Sequence, residues 1–597
     1  MPPPQNTTSL PRLPADARPP KRRRLSRRLS LSLAASLYLL ARTPASPLAA
    51  QSVAYSACAS VASARPPDVY IPIDNWIYPA MDRLHGLGYL DMAFLGLRPW
   101  TRRDIARMID AASKEPGIDD NEQALEILAT IQREFPDPAA LHNPLSITCE
   151  SAYLRIQGIS GLPLRDSFNL GQTFLNDYGR PYQQGFNTID GASASAQYGR
   201  FALFFRGEYQ HAPSAAGYAP SLVSALDILD GVTDPAVPPP ATIPAGPIPT
   251  DNPFRIVEAN LSYRLLGHVL SIGKSDHWFA PTVGGAFTYS NNAENIYAFQ
   301  IDRTEPLYVP LLSRLTGPFR YDFFVGSLKG HTDPNHPWMH AEKINFKPTS
   351  NVEFGFERSV LWGGAGHVPI TVGSFLRSFF SFQNVPVAQK HSRQDPGARF
   401  GSFDFSWRLP WLSHWVTLYT DSLVHDDVSP IDAPRHAGVR PGIFLSRLPG
   451  IQRLDLRVEG VSTDPPTARS IDGDYLYVEA VQVQGYTNKG FILGDAAGRE
   501  AKGGQAWFTY HLSPTDLVQT SYRNLKVATD FVPGGTTQNS FDLRAVKRLL
   551  GGLQVSANFQ HEWWKAPIYQ AGPQSDNSGT LQLEWQPTTA VTQAPTH

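Results

Sequence analysis

From about residue 150 to about residue 587 the chain alternates apolar and polar positions in short runs. Leu553, Val555, Ala557 and Phe559 alternate with Gln554, Ser556, Asn558 and Gln560. A period of two describes a strand with one apolar and one polar face. The same apolar row recurs in Phe201, Leu203, Phe205 and Tyr209, in Val257, Ala259, Leu261, Tyr263 and Leu265, and in Phe403, Phe405, Trp407 and Leu409. It returns in Ala506, Phe508, Tyr510 and Leu512, and in Leu581, Leu583 and Trp585. The opposite faces carry charge: Glu258, Asn260 and Arg264; Asp404 and Arg408; Asp455, Arg457 and Glu459. A soluble sandwich turns the apolar face inward. A transmembrane barrel turns it to lipid and keeps the polar face in the lumen. At the usual strand length plus turns, the region holds about 16–18 strands.

Residues 70–140 follow a helical period instead. Asp74 is placed to cap a helix carrying Ile77, Met81 and Leu84. Thr101 and Asp104 have the spacing of a capping box before Ile105, Met108 and Ile109. A third helix is predicted over Glu122–Glu134, with Leu125, Leu128 and Ile131 on one stripe. The chain thus divides into a signal segment and extension (1–50), a helical domain (51–145), a barrel (146–588) and a polar tail (589–597). The longest irregular stretch, Pro213 to Pro253, either folds into the lumen or lies over its mouth.

Composition decides between sandwich and barrel. Lys21-Arg22-Arg23-Arg24 and Arg27-Arg28 precede the apolar stretch Leu29–Ala41, and Ala49-Ala50 supply small residues for cleavage. That is the pattern of a secretory signal. No uninterrupted apolar run has the length of a membrane helix. An exported chain with charged strand faces and no such helix is read as mainly β: a large antiparallel transmembrane β-barrel with a small N-terminal helical domain. The formal net charge of −1 supplies no global field toward nucleic acid. The two cysteines, Cys58 and Cys149, form no metal-binding pattern. In an oxidising compartment they can pair, and free thiols or lipidation of Cys58 are the alternatives.

Four stretches resemble the Wzi family of outer-membrane capsule assembly proteins. They are Ile71-Pro72-Ile73-Asp74-Asn75-Trp76-Ile77-Tyr78-Pro79-Ala80; Gly96-Leu97-Arg98-Pro99-Trp100-Thr101-Arg102; Gly273-Lys274-Ser275-Asp276-His277-Trp278, followed by Ser290-Asn291-Asn292-Ala293-Glu294-Asn295; and Ile301-Asp302-Arg303. The resemblance implies a monomeric outer-membrane barrel with its helical domain in the periplasm. It also implies a non-catalytic, lectin-like role: binding exported capsular polysaccharide and helping to attach it to the cell surface. Besides the polysaccharide, the partners implied are outer-membrane lipid and the barrel insertion machinery, without nucleic acid, cofactor or metal. Barrels commonly end on an aromatic residue, whereas here a polar tail follows Trp585-Gln586-Pro587.

The polysaccharide-binding candidates are Asp276, His277, Trp278, Asn291, Asn292, Glu294, Trp338 and Trp362. The polar members can bond sugar hydroxyls, an indole can stack on a pyranose ring, and Gly284 and Gly285 permit close approach. The plain alternative makes the Gly273–Asn295 stretch a structural turn. It makes Trp338, Trp362, Trp563 and Trp564 members of an interfacial girdle. His331, Asp333, His336 and His340 have no firm metal-ligand spacing and read as a solvated loop. The lumen charges read as a structural ion-pair network. No nucleophile elbow or phosphate loop stands out. The competing function is a porin or solute channel with an envelope-binding periplasmic domain.

Overall fold

The computed structural model describes residues 67–135, 145–232, 245–382, 385–426, 436–466 and 470–587. The signal segment, Cys58 and the polar tail lie outside the described residues. Eighteen strands form one antiparallel sheet. In chain order they begin with β1 (Ser146–Ile159), β2 (Gly185–Tyr198), β3 (Phe201–His211), β4 (Phe254–Leu265), β5 (His268–Lys274) and β6 (Tyr297–Asp302). The next six are β7 (Phe319–Ser327), β8 (Trp338–Thr349), β9 (Val352–Trp362), β10 (Ala398–Arg408), β11 (Val416–His425) and β12 (Gly438–Leu445). The last six are β13 (Leu454–Ser462), β14 (Ala501–His511), β15 (Leu517–Val527), β16 (Thr536–Arg548), β17 (Leu553–Ala566) and β18 (Gln570–Trp585). β18 pairs back onto β1 from Ala152↔Trp585 to Ile159↔Ser578, so the sheet closes and no edge is left in the membrane. The polar tail after Trp585 therefore does not prevent closure.

Alternation sets the wall. Phe201, Leu203, Phe205 and Tyr209 face outward, as do Phe541, Leu543, Phe559, Leu581 and Leu583. Glu258, Asp404, Arg408, Asp455 and Glu459 face inward and are buried. One assignment within the apolar rows changes. The β3–β4 register shifts between Arg206 and Gly207, and this bulge leaves Val257 buried next to Glu258. Trp563 faces outward, but Trp564 is buried, stacked parallel to Tyr569 at 5.9 Å.

The two ends differ. Residues 199–200, 266–267 and 350–351 are tight turns at one end, whereas 212–253, 363–397 and 463–500 are long loops at the other. This is the asymmetry of an outer-membrane barrel. The described part of 212–253 folds inward. Its helix α4 (Pro220–Leu229) buries Leu222, Val223 and Leu226 in the inner core with Tyr218 and Phe168. α4 follows three earlier helices: α1 (Ile77–Gly86), α2 (Arg102–Ala112) and α3 (Glu122–Glu134).

Those three helices bury one cluster that includes Trp76, Ile77, Leu84, Trp100, Ile105 and Ile131. Thr101 and Asp104 make the capping box: the Thr101 hydroxyl accepts from Asp104 N at 3.2 Å, and Asp104 Oδ2 from Thr101 N at 3.0 Å. Asp74 does not cap α1. Its carboxylate takes a bidentate pair from Arg206 at 3.0 and 2.8 Å, and the Asn75 side chain accepts from Ile77 N instead. Leu125 is 38% exposed and outside the buried stripe of α3, which is Ala124, Ile127, Leu128 and Ile131.

The helices sit against the tight-turn end. Arg83 donates to Ser446 O and Gln452 O in the turn between β12 and β13, both at 2.9 Å. Lys347 of β8 donates to Asp91 O at 2.6 Å and Ala93 O at 2.8 Å.

Candidate functional site

The loop 275–296, between β5 and β6, starts at the long-loop end and turns into the lumen. There it meets the N-terminal segment, which enters from the tight-turn end. The two backbones pair: Arg98 N donates to Trp278 O at 3.1 Å, and Trp278 N to Arg98 O at 3.0 Å. Ile73 N donates to Asp276 Oδ2 at 2.9 Å. Asp276 also accepts from the Tyr178 hydroxyl at 3.0 Å and from Asn295 Nδ2 at 2.6 Å. One carboxylate thus joins three segments of chain. Burial and the nearby Asp74 charge raise its pKa above the ordinary carboxylate range.

The other candidates in this stretch are equally interior. Trp278 Nε1 donates to Thr282 O at 2.9 Å. The Asn292 side chain bonds Gln172 Nε2 at 2.9 Å and Ile492 O at 3.1 Å, and Asn291 O accepts from Tyr178 N at 2.6 Å. Burial works against ionisation of Glu294, but Lys274 at 2.5 Å and Arg255 at 3.1 Å hold its pKa down to about 2. His277 donates from Nδ1 to Ser275 O at 3.1 Å, with its ring among Phe279, Tyr289 and Phe324. Burial pushes its pKa down to about 3, so it is neutral at physiological pH. The structure brings Asp276, His277, Trp278, Asn291, Asn292 and Glu294 together and ties the side chains of all but Asn291 into bonds within the protein, while Trp278 and Asn291 also line a cavity in the lumen.

Trp338 and Trp362 lie elsewhere. They are paired across β8 and β9 on the outer face of the wall, ring centroids 6.3 Å apart. His331 bonds Thr487 O at 2.9 Å, whereas His340 is on that same outer face, bonded to Glu342 and Ser378. The stretch is therefore not one solvated loop: His331 and His340 are both buried. Cys149 is buried on β1.

Wall carboxylates fix the inner segments: Glu459, read as a lumen charge from the sequence, and Glu353 and Asp421, which the sequence alone does not single out. Glu353 accepts from Leu95 N at 2.8 Å and Gly96 N at 3.0 Å. Glu459 accepts from Val283 N at 2.8 Å and Gly284 N at 2.9 Å, and Asp421 from Phe287 N at 2.7 Å. Their inward positions were readable from alternation, but their backbone partners are far away in the chain. Gly284 and Gly285 do permit close approach, though to the protein itself. A Cβ on Gly285 would come within 2.5 Å of Asp495 Oδ2, and one on Gly284 within 2.7 Å of Arg440 Nη1. Ion pairs complete the filling: Lys343 with Asp404, Arg408 with Asp91, and Arg440 with Asp495.

The filling is uneven. Toward β8–β10 the inward Lys343, Asn345, Glu353 and Asp404 are all buried. Toward β16–β18 a cavity of about 1690 Å³ remains, lined in part by Arg155, Trp507, Arg544, Asn558, Gln582 and Glu584. Along β17 the inward Gln554, Ser556 and Asn558 are half-exposed, and Gln560, Glu562 and Trp564 beyond them are buried. Glu562 accepts there from Arg523 at 3.2 Å, Gln538 at 2.6 Å and Thr173 at 2.5 Å. Along β17 the chamber thus narrows from the tight-turn end toward the long-loop end.

Comparison with known proteins agrees with this architecture. The family model described as capsule assembly protein Wzi matches residues 155–579. Among solved structures, Escherichia coli Wzi superposes with a TM-score of 0.61 at 16% identity, covering 87% of this chain and 99% of that one. That protein is described as an outer-membrane protein involved in group 1 capsule assembly and a carbohydrate-binding β-barrel. An uncharacterized 55.8 kDa protein of the cps region of Klebsiella pneumoniae is 24% identical over 161 residues, 27% of this chain. The match spans 31% of that relative's length.

Proposed function

The chain belongs to the Wzi family of capsule assembly proteins, and on that premise we propose that it binds exported capsular polysaccharide at its long-loop end and helps attach it to the cell surface. In this reading the tight-turn end and helices α1–α3 face the periplasm and the protein works as a monomer. It holds the glycan through hydrogen bonds and ring stacking, without cleaving it. One observation carries the reading: the lumen is crossed by two segments bonded to each other, Ile73 to Asp276 and Arg98 to Trp278. A barrel so crossed is poorly suited to conducting solutes, which favours a binding role over the channel reading. The Asp276–Glu294 stretch then acts as the scaffold beneath the glycan-contacting loops. The test is retention of capsular polysaccharide from the protein's own cells on the purified full chain in detergent. Specific retention, competed by the same glycan in solution, is expected. No retention beyond that of an unrelated barrel would overturn the proposal.

A further inference from the structure

The loop 363–397 carries a further helix, α5 (Val372–Phe380), which packs on the outside of the barrel wall. The outward positions beneath it are unusual for a lipid-facing surface: His340 and Glu342 on β8, and Arg358 on β9. Exposed to hydrocarbon, each would be costly. α5 covers them. Arg358 donates to the last carbonyls of the helix and the residue after it, Phe379 O at 2.5 Å, Ser378 O at 2.9 Å and Ser381 O at 2.6 Å. His340 bonds Glu342 at 2.6 Å and Ser378 Oγ at 3.0 Å. Phe375 and Phe379 close around this patch, their ring centroids 6.4 and 6.2 Å from Phe323 of β7. Thr371 and Ser374 cap the helix reciprocally.

The opposite face of α5 is apolar and open. Val372, Leu376 and Phe380 recur at every fourth position and are 75%, 46% and 65% exposed, with Phe382 beyond them at 62%. An exposed apolar stripe of this kind needs an explanation. It is continuous with the lipid-facing belt, because Ile344 and Phe356 lie just below on the same outer face of β8 and β9. Beside it stand two exposed cations, Arg377 and Arg393, the first donating to the backbone of the second at 2.8 Å. Among the described residues neither has an ion-pair partner.

We propose that α5 is a lipid-seating helix: acyl chains of a phosphorylated membrane lipid, in the leaflet on the long-loop side, lie against Val372, Leu376 and Phe380, with the phosphate held by Arg377 and Arg393. The helix replaces a polar patch on the wall with apolar surface. It anchors the root of a long loop to the membrane.

The test uses the full chain in nanodiscs. Leu376→Cys carries an environment-sensitive fluorophore, Lys114→Cys on the helical segment serves as the control, and the wild-type chain is labelled in parallel as a blank. With brominated acyl chains, quenching at Leu376→Cys is expected to exceed that at Lys114→Cys by roughly twofold or more. In parallel, phosphatidic acid retained in native mass spectra is expected to fall by roughly half or more in the Arg377→Gln, Arg393→Gln double variant. Equal bromine quenching at the two positions, with iodide reaching Leu376→Cys from water, would overturn the acyl contact. Unchanged phosphatidic acid retention would overturn the phosphate contact.

Discussion

Ile73 donates its backbone N–H to the carboxylate of Asp276 at 2.9 Å, across 203 positions of sequence. The bond links a segment entering from the tight-turn end to a loop descending from the other. Asp276→Ala would leave three buried donors, on Ile73, Tyr178 and Asn295, without this acceptor. Each such loss costs about 1–3 kcal/mol. We expect a lower denaturation midpoint and brief openings in planar bilayers where the wild type stays closed. A variant as closed and as stable as wild type would show that the joint is dispensable.

His277 makes the inner loop acid-sensitive. Its folded pKa is depressed to about 3, below the ordinary histidine value. The unfolded chain therefore binds the proton first, and the contribution to stability is lost as pH falls from about 6.5 toward 3. His277→Phe keeps the aromatic packing and removes the titration. Denaturation midpoints measured across that window should fall less steeply in the variant than in the wild type.

Lys343 and Asp404 form an ion pair inside the wall, and Lys343 also donates to Phe279 O at 3.0 Å. Removing one partner strands the other charge, a loss of about 3–5 kcal/mol. Lys343→Met should be strongly destabilised, and the Lys343→Met, Asp404→Leu double variant should recover a large part of that loss. A double-mutant cycle in denaturant measures the coupling.

Gly285→Ala places a methyl within 2.5 Å of Asp495, which anchors Arg440. Overpacking of this sort costs about 1–3 kcal/mol. Gly158→Ala, where a Cβ meets open space, is the control and should leave the midpoint nearly unchanged.

The wall was legible because alternation is local. Phe201 to Tyr209 and Leu553 to Phe559 announce their outward face from a handful of neighbours. Val257 broke the pattern because it is the extra residue of a bulge opposite Arg206 and Gly207, and only the pairing with the neighbouring strand reveals it. The Thr101–Asp104 box could be read because its partners lie three residues apart, whereas the partner of Asp74, Arg206, comes from a distant strand. The same limit governs the candidate site. Asp276, Asn292 and Glu294 carry the chemistry of sugar recognition, and nothing local distinguishes a glycan hydroxyl from Ile73 N or Ile492 O as their partner. The helix outside β8 and β9 has no comparable local signature, since its meaning lies in the outward Arg358 and His340 that it covers.

The attachment of capsule is tested most directly in cells lacking the gene, by measuring surface-bound and shed polysaccharide separately. The account predicts a fall in the bound fraction and a matching rise in the shed fraction, with the total unchanged, both reversed by the intact gene. An unchanged bound fraction in the deletion strain would contradict it.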